Sequence, residues 1–523
     1  MEKIKILWAD DEIDLLKPQL MFLQQRDYEV VTVSNGYDAI EECQVIGNDI
    51  DVVFLDESMP GLTGLETLTR IKAIYPNLPV VMITKNEAED VMENAIGSQI
   101  ADYLIKPVNP HQILLSLKKI VDNKRLVREK TSSNYQQEFR ELAVEIGSGP
   151  DISGWVDVYK KLINWEIKLD ASDSSEMADI LSMQKSEANN EFSKFVTKKY
   201  LGWLDEKKNT DSPTMSHNLM RRKIFPHVDN ETPTVVLLLD NLRFDQWKII
   251  EPIISELFRV EEEDYFFSIL PTATQYSRNA IFAGMMPAEI EARFPNWWLN
   301  DNEEGGKNLH EHDLLNEQVK RTFRKEVKTD YVKITNVHNG KLLQENILNY
   351  LHNDLSVIVY NFIDMLSHAR TEMEVLKELA GDETAYRSLT KSWFLHSPIW
   401  AALQRIAERK VRLIICTDHG TIRVKTPSRV VGDKETTANL RYKVGRNLQY
   451  DKRDVLEVRD PKQAGLPAPN LSSSFIFGKS DIFFLYPNNY NHYNNYYRNT
   501  FQHGGISLEE MICPIIRLRS KVQ

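Results

Sequence analysis

Thr234-Val-Val-Leu-Leu-Leu-Asp240 is an unbroken apolar run that ends in an acid. Two later stretches repeat this pattern, Ser356-Val-Ile-Val-Tyr-Asn-Phe-Ile-Asp364 and Val411-Arg-Leu-Ile-Ile-Cys-Thr-Asp418. Strands that are apolar on both faces are typical of parallel sheets covered on both sides. We therefore predict a large α/β domain over residues 229–523, with a site where these strands end.

Residues 1–120 alternate strand-like and amphipathic stretches, which predicts a doubly wound, five-stranded parallel sheet. The strand-like runs are Lys5–Ala9, Glu29–Val33, Asp51–Leu55, Val80–Thr84 and Tyr103–Ile105. Acidic residues follow the first and third runs, at Asp10, Asp11 and Asp56. A second site is expected at this edge of the sheet.

Residues 121–228 lose the strand pattern and carry apolar residues at helical spacing. We predict a helical connector here. Two interpretations remain open: a small bundle of its own, or a spacer that only sets geometry.

The composition is that of a globular protein, with 42% hydrophobic and 27% charged residues. No apolar run reaches the roughly 18–20 residues that could span a bilayer, so we expect no membrane insertion. The three cysteines lie far apart, which favours a cytoplasmic location. The net charge of −12 argues against a regulator that binds duplex DNA.

The positions of five polar residues in the first domain resemble the receiver domain of response regulators. They are Asp10 and Asp11 after strand one, Asp56 after strand three, Thr84 at the end of strand four and Lys106 after strand five. Carboxylates grouped in this way suit Mg²⁺, which orients an incoming phosphoryl group.

The receiver resemblance implies a role for each residue. Asp10, Asp11 and Asp56 would hold Mg²⁺, and Asp56 would accept the phosphoryl group. Thr84 and Lys106 would bind the phosphoryl oxygens. Tyr103 would be the aromatic residue that swings inward on activation. Lys85 departs from the small residue that many receivers carry after the threonine.

The C-terminal domain carries Asp and His residues that are suitable zinc ligands. They are Asp240, Asp364, His368, Asp418, His419 and His503. Three aspartates and three histidines are enough for two metal sites, as in enzymes that clamp both oxygens of a phosphoryl transfer. These residue types accept either zinc or manganese.

The order of these motifs resembles the alkaline phosphatase superfamily, and within it the PglZ-like branch. The resemblance implies two zinc ions. One would be held by Asp240, Thr274, Asp418 and His419. The other would be held by the remaining three ligands, which are Asp364, His368 and His503.

A threonine after residue 270 is the expected nucleophile, and both Thr272 and Thr274 qualify. We favour Thr274, because relatives with a Pro-Ser/Thr-x-Thr motif use the second hydroxyl. The start of a helix also favours a bound phosphate. Arg278, one turn later, is a candidate for binding a phosphoryl oxygen, with a surface arginine as the alternative.

A threonine nucleophile indicates a phosphodiesterase, because it occurs mainly among diesterase and pyrophosphatase relatives. Oligonucleotides or cyclic nucleotides are the expected substrates. Tyr442, Lys443 and Arg446 could line a basic, aromatic cleft for a short single strand, or could belong to a solvated loop.

The whole chain resembles PorX-type response regulators of the type IX secretion system. That resemblance implies a PorY-like sensor histidine kinase as phosphodonor and a sigma factor as a candidate partner. We expect Asp56 phosphorylation to cause homodimerisation and to open the site above Thr274. The alternative is a non-catalytic interaction module that binds a transcription or secretion partner.

Overall fold

The protein forms two compact units, Met1–Ser133 and Asn134–Gln523. The computed structural model describes residues 3–46, 49–76, 78–85, 100–172, 175–205, 212–361, 382–434, 436–470 and 472–522. None of the helices in these ranges has the length and apolar content needed to cross a bilayer.

The first unit is a five-stranded parallel sheet between helices, which confirms the predicted fold. Its strands are β1 (Lys5–Ala9), β2 (Glu29–Val33), β3 (Val52–Asp56), β4 (Val80–Thr84) and β5 (Asp102–Ile105), in the order β2-β1-β3-β4-β5. Its helices are α1 (Lys17–Gln24), α2 (Gly36–Ile46), α3 (Gly64–Ile74) and the start of α4 (Pro110–Gly147). Ile6 and Trp8 pack into one core cluster and Leu7 and Ala9 into another, because side chains alternate along a strand.

Two long helices, α5 (Ile152–Ser172) and α6 (Ser175–Trp203), follow α4. Their buried residues belong to the same hydrophobic core as the C-terminal sheet. Aromatic contacts are one example of this packing, because Phe192 and Trp203 of α6 both contact Phe267. Most of the predicted connector therefore packs with the C-terminal part of the chain.

The remaining elements build the C-terminal α/β part. Its strands are β6 (Thr234–Leu239), β7 (Phe258–Phe267), β8 (Thr329–Ile334), β9 (Leu355–Tyr360), β10 (Arg412–Cys416), β11 (Ile422–Arg423), β12 (Thr426–Arg429), β13 (Tyr442–Gly445), β14 (Val455–Val458), β15 (Ser474–Gly478), β16 (Ile482–Leu485), β17 (Phe501–Gln502) and β18 (Ile512–Ser520). Its helices are α7 (Phe244–Leu257), α8 (Thr274–Ala283), α9 (Pro287–Arg293), α10 (Glu311–Thr322), α11 (Val337–Asn346), α12 (Glu383–His396), α13 (Pro398–Ala407), α14 (Tyr490–Tyr497) and α15 (Leu508–Met511).

A six-stranded sheet in the order β7-β18-β10-β6-β9-β8 forms the centre of this part. Strands β10, β6, β9 and β8 are parallel, whereas β18 is antiparallel to β10 and β7. Leu238 pairs with both Val359 and Cys416. The carboxyl ends of the three apolar strands therefore lie together, and Asp240 and Asp418 follow two of them.

Candidate functional site

The acids of the receiver-like unit meet at the carboxyl edge of its sheet. Asp10, Asp11 and Asp56 have ligand oxygens within 4.8 Å of one another. Asp10 and Asp56 are buried and Asp11 is exposed. Three carboxylates, one of them open to solvent, form a donor set that fits Mg²⁺.

Lys106 lies between the two buried carboxylates of this cluster. Its Nζ is 2.9 Å from Asp10 Oδ2 and 3.0 Å from Asp56 Oδ2. The pKa of Asp56 is raised to about 6, because burial and the nearby Asp10 together raise it more than Lys106 lowers it. Burial would lower the pKa of Lys106, but its hydrogen bonds to Asp10 and Asp56 raise it overall, so Lys106 stays charged.

The residues that the receiver resemblance assigns to the switch include Thr84 at the end of β4 and Tyr103 on β5. The Thr84 hydroxyl donates to the Glu57 carboxylate. The Tyr103 ring is 37% exposed. Lys85 forms an exposed ion pair with Glu12, with Nζ 3.4 Å from Oε2. In this structure, Thr84 points to an acid that immediately follows Asp56.

A second cluster forms at the edge of the six-stranded sheet, where Asp240 follows β6 and Asp418 and His419 follow β10. Each of these three residues is fully buried, and their ligand atoms lie within 4.8 Å of one another. Asp418 Oδ1 accepts from the amides of Asn241 and His419, at 3.2 and 3.0 Å. Two carboxylates and one imidazole, all buried, are a donor set that fits zinc.

Gly420 lets the chain pass closely behind this cluster. A Cβ at this position would lie 2.1 Å from the carbonyl oxygen of Glu509. The strand-end ligands and the segment that follows His503 can therefore pack backbone to backbone only with glycine here.

Thr274 is the first residue of α8, and its side chain faces the cluster. Its Oγ1 is 3.0 Å from His419 Nε2. Thr272 has a different environment, because its Oγ1 donates to Gly505 O at 2.9 Å and accepts from Gly504 N at 3.0 Å. Thr272 therefore ties together two loops, and Thr274 is the hydroxyl beside the acids and histidine.

His503 lies against His419. The two rings stack with their centroids 4.3 Å apart and 20° between their planes. The Nδ1 atom of His503 is 3.1 Å from Thr272 O. Asp364 and His368, the other two expected ligands, lie outside the described residues.

Arg278 is buried, with 1% exposure, so the surface-arginine alternative is wrong. Its Nη1 is 2.5 Å from Asp240 Oδ2 and its Nε donates to Glu311. Asp418 Oδ2 lies 3.9 Å from the same Nη1. Burial would lower the pKa of Arg278, but Glu311 and Asp240 raise it well above its usual range. This arginine therefore carries a permanent charge beside two of the expected metal ligands.

Glu311 is a site residue that the sequence did not reveal. It is 1% exposed at the start of α10, where it accepts from Arg278 and Tyr331 and lies 3.1 Å from Lys333 Nζ. The surrounding His310-Glu311-His312-Asp313 looks like an exposed helix start. The feature of the sequence that could have revealed Glu311 as a site residue is its position on an amphipathic helix.

The predicted basic cleft around residue 442 is wrong for two of its three residues. Tyr442 and Lys443 are 4% and 1% exposed on β13, so the alternative of a solvated loop is wrong as well. The Tyr442 hydroxyl is 2.7 Å from Asp301 Oδ1, and Lys443 Nζ is 2.8 Å from Thr437 O. Arg446 is partly exposed and pairs with Asp433. A strand with polar side chains on its buried face has no clear apolar pattern, which explains the error.

Family models match three successive parts of the chain. Residues 6–118 match the response regulator receiver domain, and residues 125–204 match the PorX response regulator linker domain. Residues 219–518 match the BREX system PglZ alkaline phosphatase-like domain.

Individual relatives resemble the N-terminal part. The chain is 33% identical over 125 residues to the transcriptional regulatory protein ZraR of Klebsiella oxytoca, covering 24% of this chain and 28% of that protein. It is 32% identical over 119 residues to the transcriptional regulatory protein CpxR homolog of Haemophilus influenzae, covering 22% and 50%. A receiver domain structure from Clostridium thermocellum is 31% identical, with a TM-score of 0.23, covering 24% of this chain and 98% of that one. The matches span half or less of these two curated relatives.

Proposed function

The chain belongs to the PglZ alkaline phosphatase-like family and has the domain order of a PorX-type response regulator, and on this premise we propose that it is a phosphorylation-controlled, zinc-dependent phosphodiesterase. The observation that carries the proposal is the position of Thr274. Its hydroxyl lies 3.0 Å from His419 Nε2, next to the buried carboxylates of Asp240 and Asp418.

The tautomer of His419 supports its role as a metal ligand. Its Nδ1 is 3.1 Å from the Gly420 carbonyl oxygen, which can only accept a hydrogen bond. Nδ1 therefore carries the proton, and Nε2 presents its lone pair toward Thr274 and the acids. A backbone carbonyl that fixes the ring in this way is typical of metal-ligating histidines.

Asp240, Asp418, His419 and Thr274 would hold one zinc ion, and His503 with Asp364 and His368 would hold the second. When bound, the metal would lower the pKa of the attacking hydroxyl and neutralise charge on the phosphoryl oxygens. Arg278 fixes the Asp240 carboxylate, and Glu311 fixes Arg278 from the other side.

Thr274 Oγ is the proposed nucleophile. A bond forms between Oγ and phosphorus while the bond from phosphorus to the leaving oxygen breaks; the leaving oxygen keeps that electron pair, and the proton lost from Oγ passes through solvent to it. Water then attacks phosphorus and releases the threonine hydroxyl. The N-terminus of the ten-residue helix α8 favours the negative charge that develops on the phosphoryl oxygens.

We propose oligonucleotides or cyclic nucleotides as substrates, on the resemblance to diesterases with a threonine nucleophile. The buried Tyr442 and Lys443 do not support a stacking cleft at β13. Recognition of the bases must therefore come from other residues.

Control of the activity is proposed to begin at Asp56. The acidic cluster would bind Mg²⁺, and a sensor histidine kinase of the PorY kind would supply the phosphoryl group. Phosphorylation would produce a homodimer with a more accessible Thr274. A role in type IX secretion, with a sigma factor as candidate partner, follows from the likeness to PorX-type regulators.

The test is hydrolysis of bis(p-nitrophenyl) phosphate by the zinc-loaded chain, beside p-nitrophenyl phosphate as the monoester. We expect the diester to be hydrolysed faster, with activity lost on chelation and restored by zinc. Asp240→Asn should lower both the zinc content and the rate. The exposed Asp313→Asn is the matched control and should change neither.

Zinc that binds tightly without hydrolysis of either ester, with or without beryllofluoride, would contradict the proposal. That result would favour a non-catalytic interaction module in which the metal is structural.

A further inference from the structure

We propose that Tyr200 of α6 is a positioning residue for the nucleophile, because its hydroxyl holds the loop that delivers Thr274. This inference rests on the proposed function of Thr274. It assigns to the linker helix a direct part in building the site.

The loop from β7 to α8 is fixed by three successive backbone amides, each bound by a different element. The amide of Ser268 donates to Met511 O at 2.8 Å, and that of Ile269 donates to Ser216 Oγ at 3.1 Å. The amide of Leu270 donates to the Tyr200 hydroxyl at 2.7 Å. Residue 271 is a proline, which has no amide hydrogen. The bond from the Leu270 amide to Tyr200 is therefore the last of these three hydrogen bonds before Thr272.

Both partners of this hydrogen bond are fully buried. Water therefore cannot replace Tyr200 if its hydroxyl is removed, and the Leu270 amide would be left in an apolar environment. The loop would then shift to find another acceptor. Only three residues separate Leu270 from Thr274, so a shift there changes the direction of the threonine hydroxyl.

The same face of α6 also holds the segment that follows His503. Asn189 Oδ1 accepts from the Leu508 amide at 2.8 Å, and Asn189 Nδ2 donates to Glu509 Oε2 at 3.0 Å. Lys185 Nζ is 3.2 Å from Glu509 Oε1. Positions 185, 189 and 200 are four and eleven residues apart, so they lie on one side of the helix. One helix therefore fixes the two segments that lead to Thr274 and away from His503.

The geometry of attack depends on small displacements. A shift of about 1 Å in a reacting group can lower the rate by about 100-fold. Tyr200→Phe keeps the ring and removes only the oxygen. We expect kcat for the diester to fall by about 10- to 100-fold while KM stays within about twofold, since the substrate contacts are unchanged.

Tyr135→Phe is the matched control. Tyr135 is also fully buried in the second unit, and its hydroxyl is 3.2 Å from Gln184 Oε1 on α6, without a contact to the loop among the described residues. Removing this oxygen should leave kcat within about twofold. A general loss of stability would affect both variants, whereas loss of positioning would affect Tyr200→Phe alone.

Hydrogen–deuterium exchange on the full chain separates this inference from the proposed function. Peptides covering residues 268–276 should exchange faster in Tyr200→Phe than in wild type or Tyr135→Phe. Unchanged exchange would overturn the inference whatever the activity. Faster exchange with unchanged kcat would overturn the positioning role. If wild type hydrolyses no ester, the proposed function fails, and the exchange rates alone decide whether Tyr200 holds the loop.

Discussion

Thr272 and Thr274 lie two residues apart and have different partners. Thr272 spans the gap to Gly504 and Gly505, and Thr274 faces His419. The sequence contains both hydroxyls, and the resemblance to relatives together with the expected helix start favoured the second. A residue-by-residue pattern cannot separate them, because their partners come from two segments that lie 145 and more residues away.

The buried Arg278 leads to a prediction about the stability of the protein. Its guanidinium is buried between Asp240 and Glu311, so Arg278→Met would remove the cation that contacts both carboxylates and leave Lys333 as the cation beside Glu311. We expect the zinc-free protein to lose about 3–5 kcal/mol in unfolding free energy, which is the usual effect of breaking a buried ion pair. Urea denaturation of the zinc-free protein measures this loss.

Arg446→Met is the control for this change. Arg446 pairs with Asp433 at 3.1 Å, but its side chain is 43% exposed, and a pair of this kind contributes less than about 1 kcal/mol. Equal losses in the two variants would contradict the arrangement described for Arg278.

Asp240 and Asp418 could be predicted from the sequence because the carboxyl ends of parallel strands meet at one edge. The apolar runs that precede these two residues were enough to predict their position at this edge. Glu311 could not be predicted, because its role depends on a buried arginine from another helix. An acid at the start of a charged helix has the same appearance whether it faces solvent or a guanidinium.

At the scale of elements, strand β13 of a small sheet contains a buried lysine, Lys443. Lys443 has a carbonyl partner in Thr437, and its Nζ lies 4.4 Å from the centre of the Tyr486 ring. Burial lowers the pKa of Lys443 to about 7. The three-stranded sheet β13-β15-β14 therefore contains an amine that releases its proton far below the ordinary range for lysine.

This lysine predicts a pH dependence of stability. Between about pH 7 and the usual lysine pKa of about 10.4, the unfolded chain binds a proton that the folded chain has released. Unfolding then takes up a proton, so the contribution of Lys443 to stability increases as the pH rises through this window. Lys443→Met should abolish that increase, measured as the difference in urea midpoint between pH 7 and pH 9.

The exposed Lys452→Met provides the comparison, because it removes the same charge from the surface. We expect it to keep the pH dependence of the wild type. A Lys443→Met protein with an unchanged difference in midpoint would show that Lys443 is not held in an apolar site.

The elements themselves could largely be predicted from the sequence. Strands β1, β2 and β4 have the predicted bounds, since short runs of apolar and β-branched residues between polar turns indicate strands. The packing of α5 and α6 could not be predicted, because helical periodicity shows an apolar face but not its partner. Nothing in the sequence indicates that Phe192 contacts the end of β7 or that Tyr200 contacts the loop after it.

At the scale of the whole molecule, the chain joins a candidate phosphoacceptor site to a candidate zinc site in a separate unit. The proposed link between them predicts that beryllofluoride with Mg²⁺ increases both the molar mass in solution and the rate of diester hydrolysis. Light scattering after size exclusion measures the mass, and the chromogenic assay measures the rate.

Asp56→Asn is the control for this link, because it removes the carboxylate that beryllofluoride would bind. This variant should keep the basal rate and the monomer mass in the presence of beryllofluoride. A wild-type protein that stays monomeric with an unchanged rate would contradict the proposed regulation, and would leave the zinc chemistry to be judged separately.

The most direct test of the central claim compares diester hydrolysis by Thr274→Val, Thr274→Ser and Thr272→Val at equal zinc content. We expect Thr274→Val to lose about 1000-fold or more in kcat, because the nucleophile is removed, while Thr274→Ser stays within about tenfold. Thr272→Val should retain more activity than Thr274→Val, because the Thr272 hydroxyl ties two loops together and does not attack the phosphorus. Substantial hydrolysis by Thr274→Val would show that Thr274 is not the nucleophile.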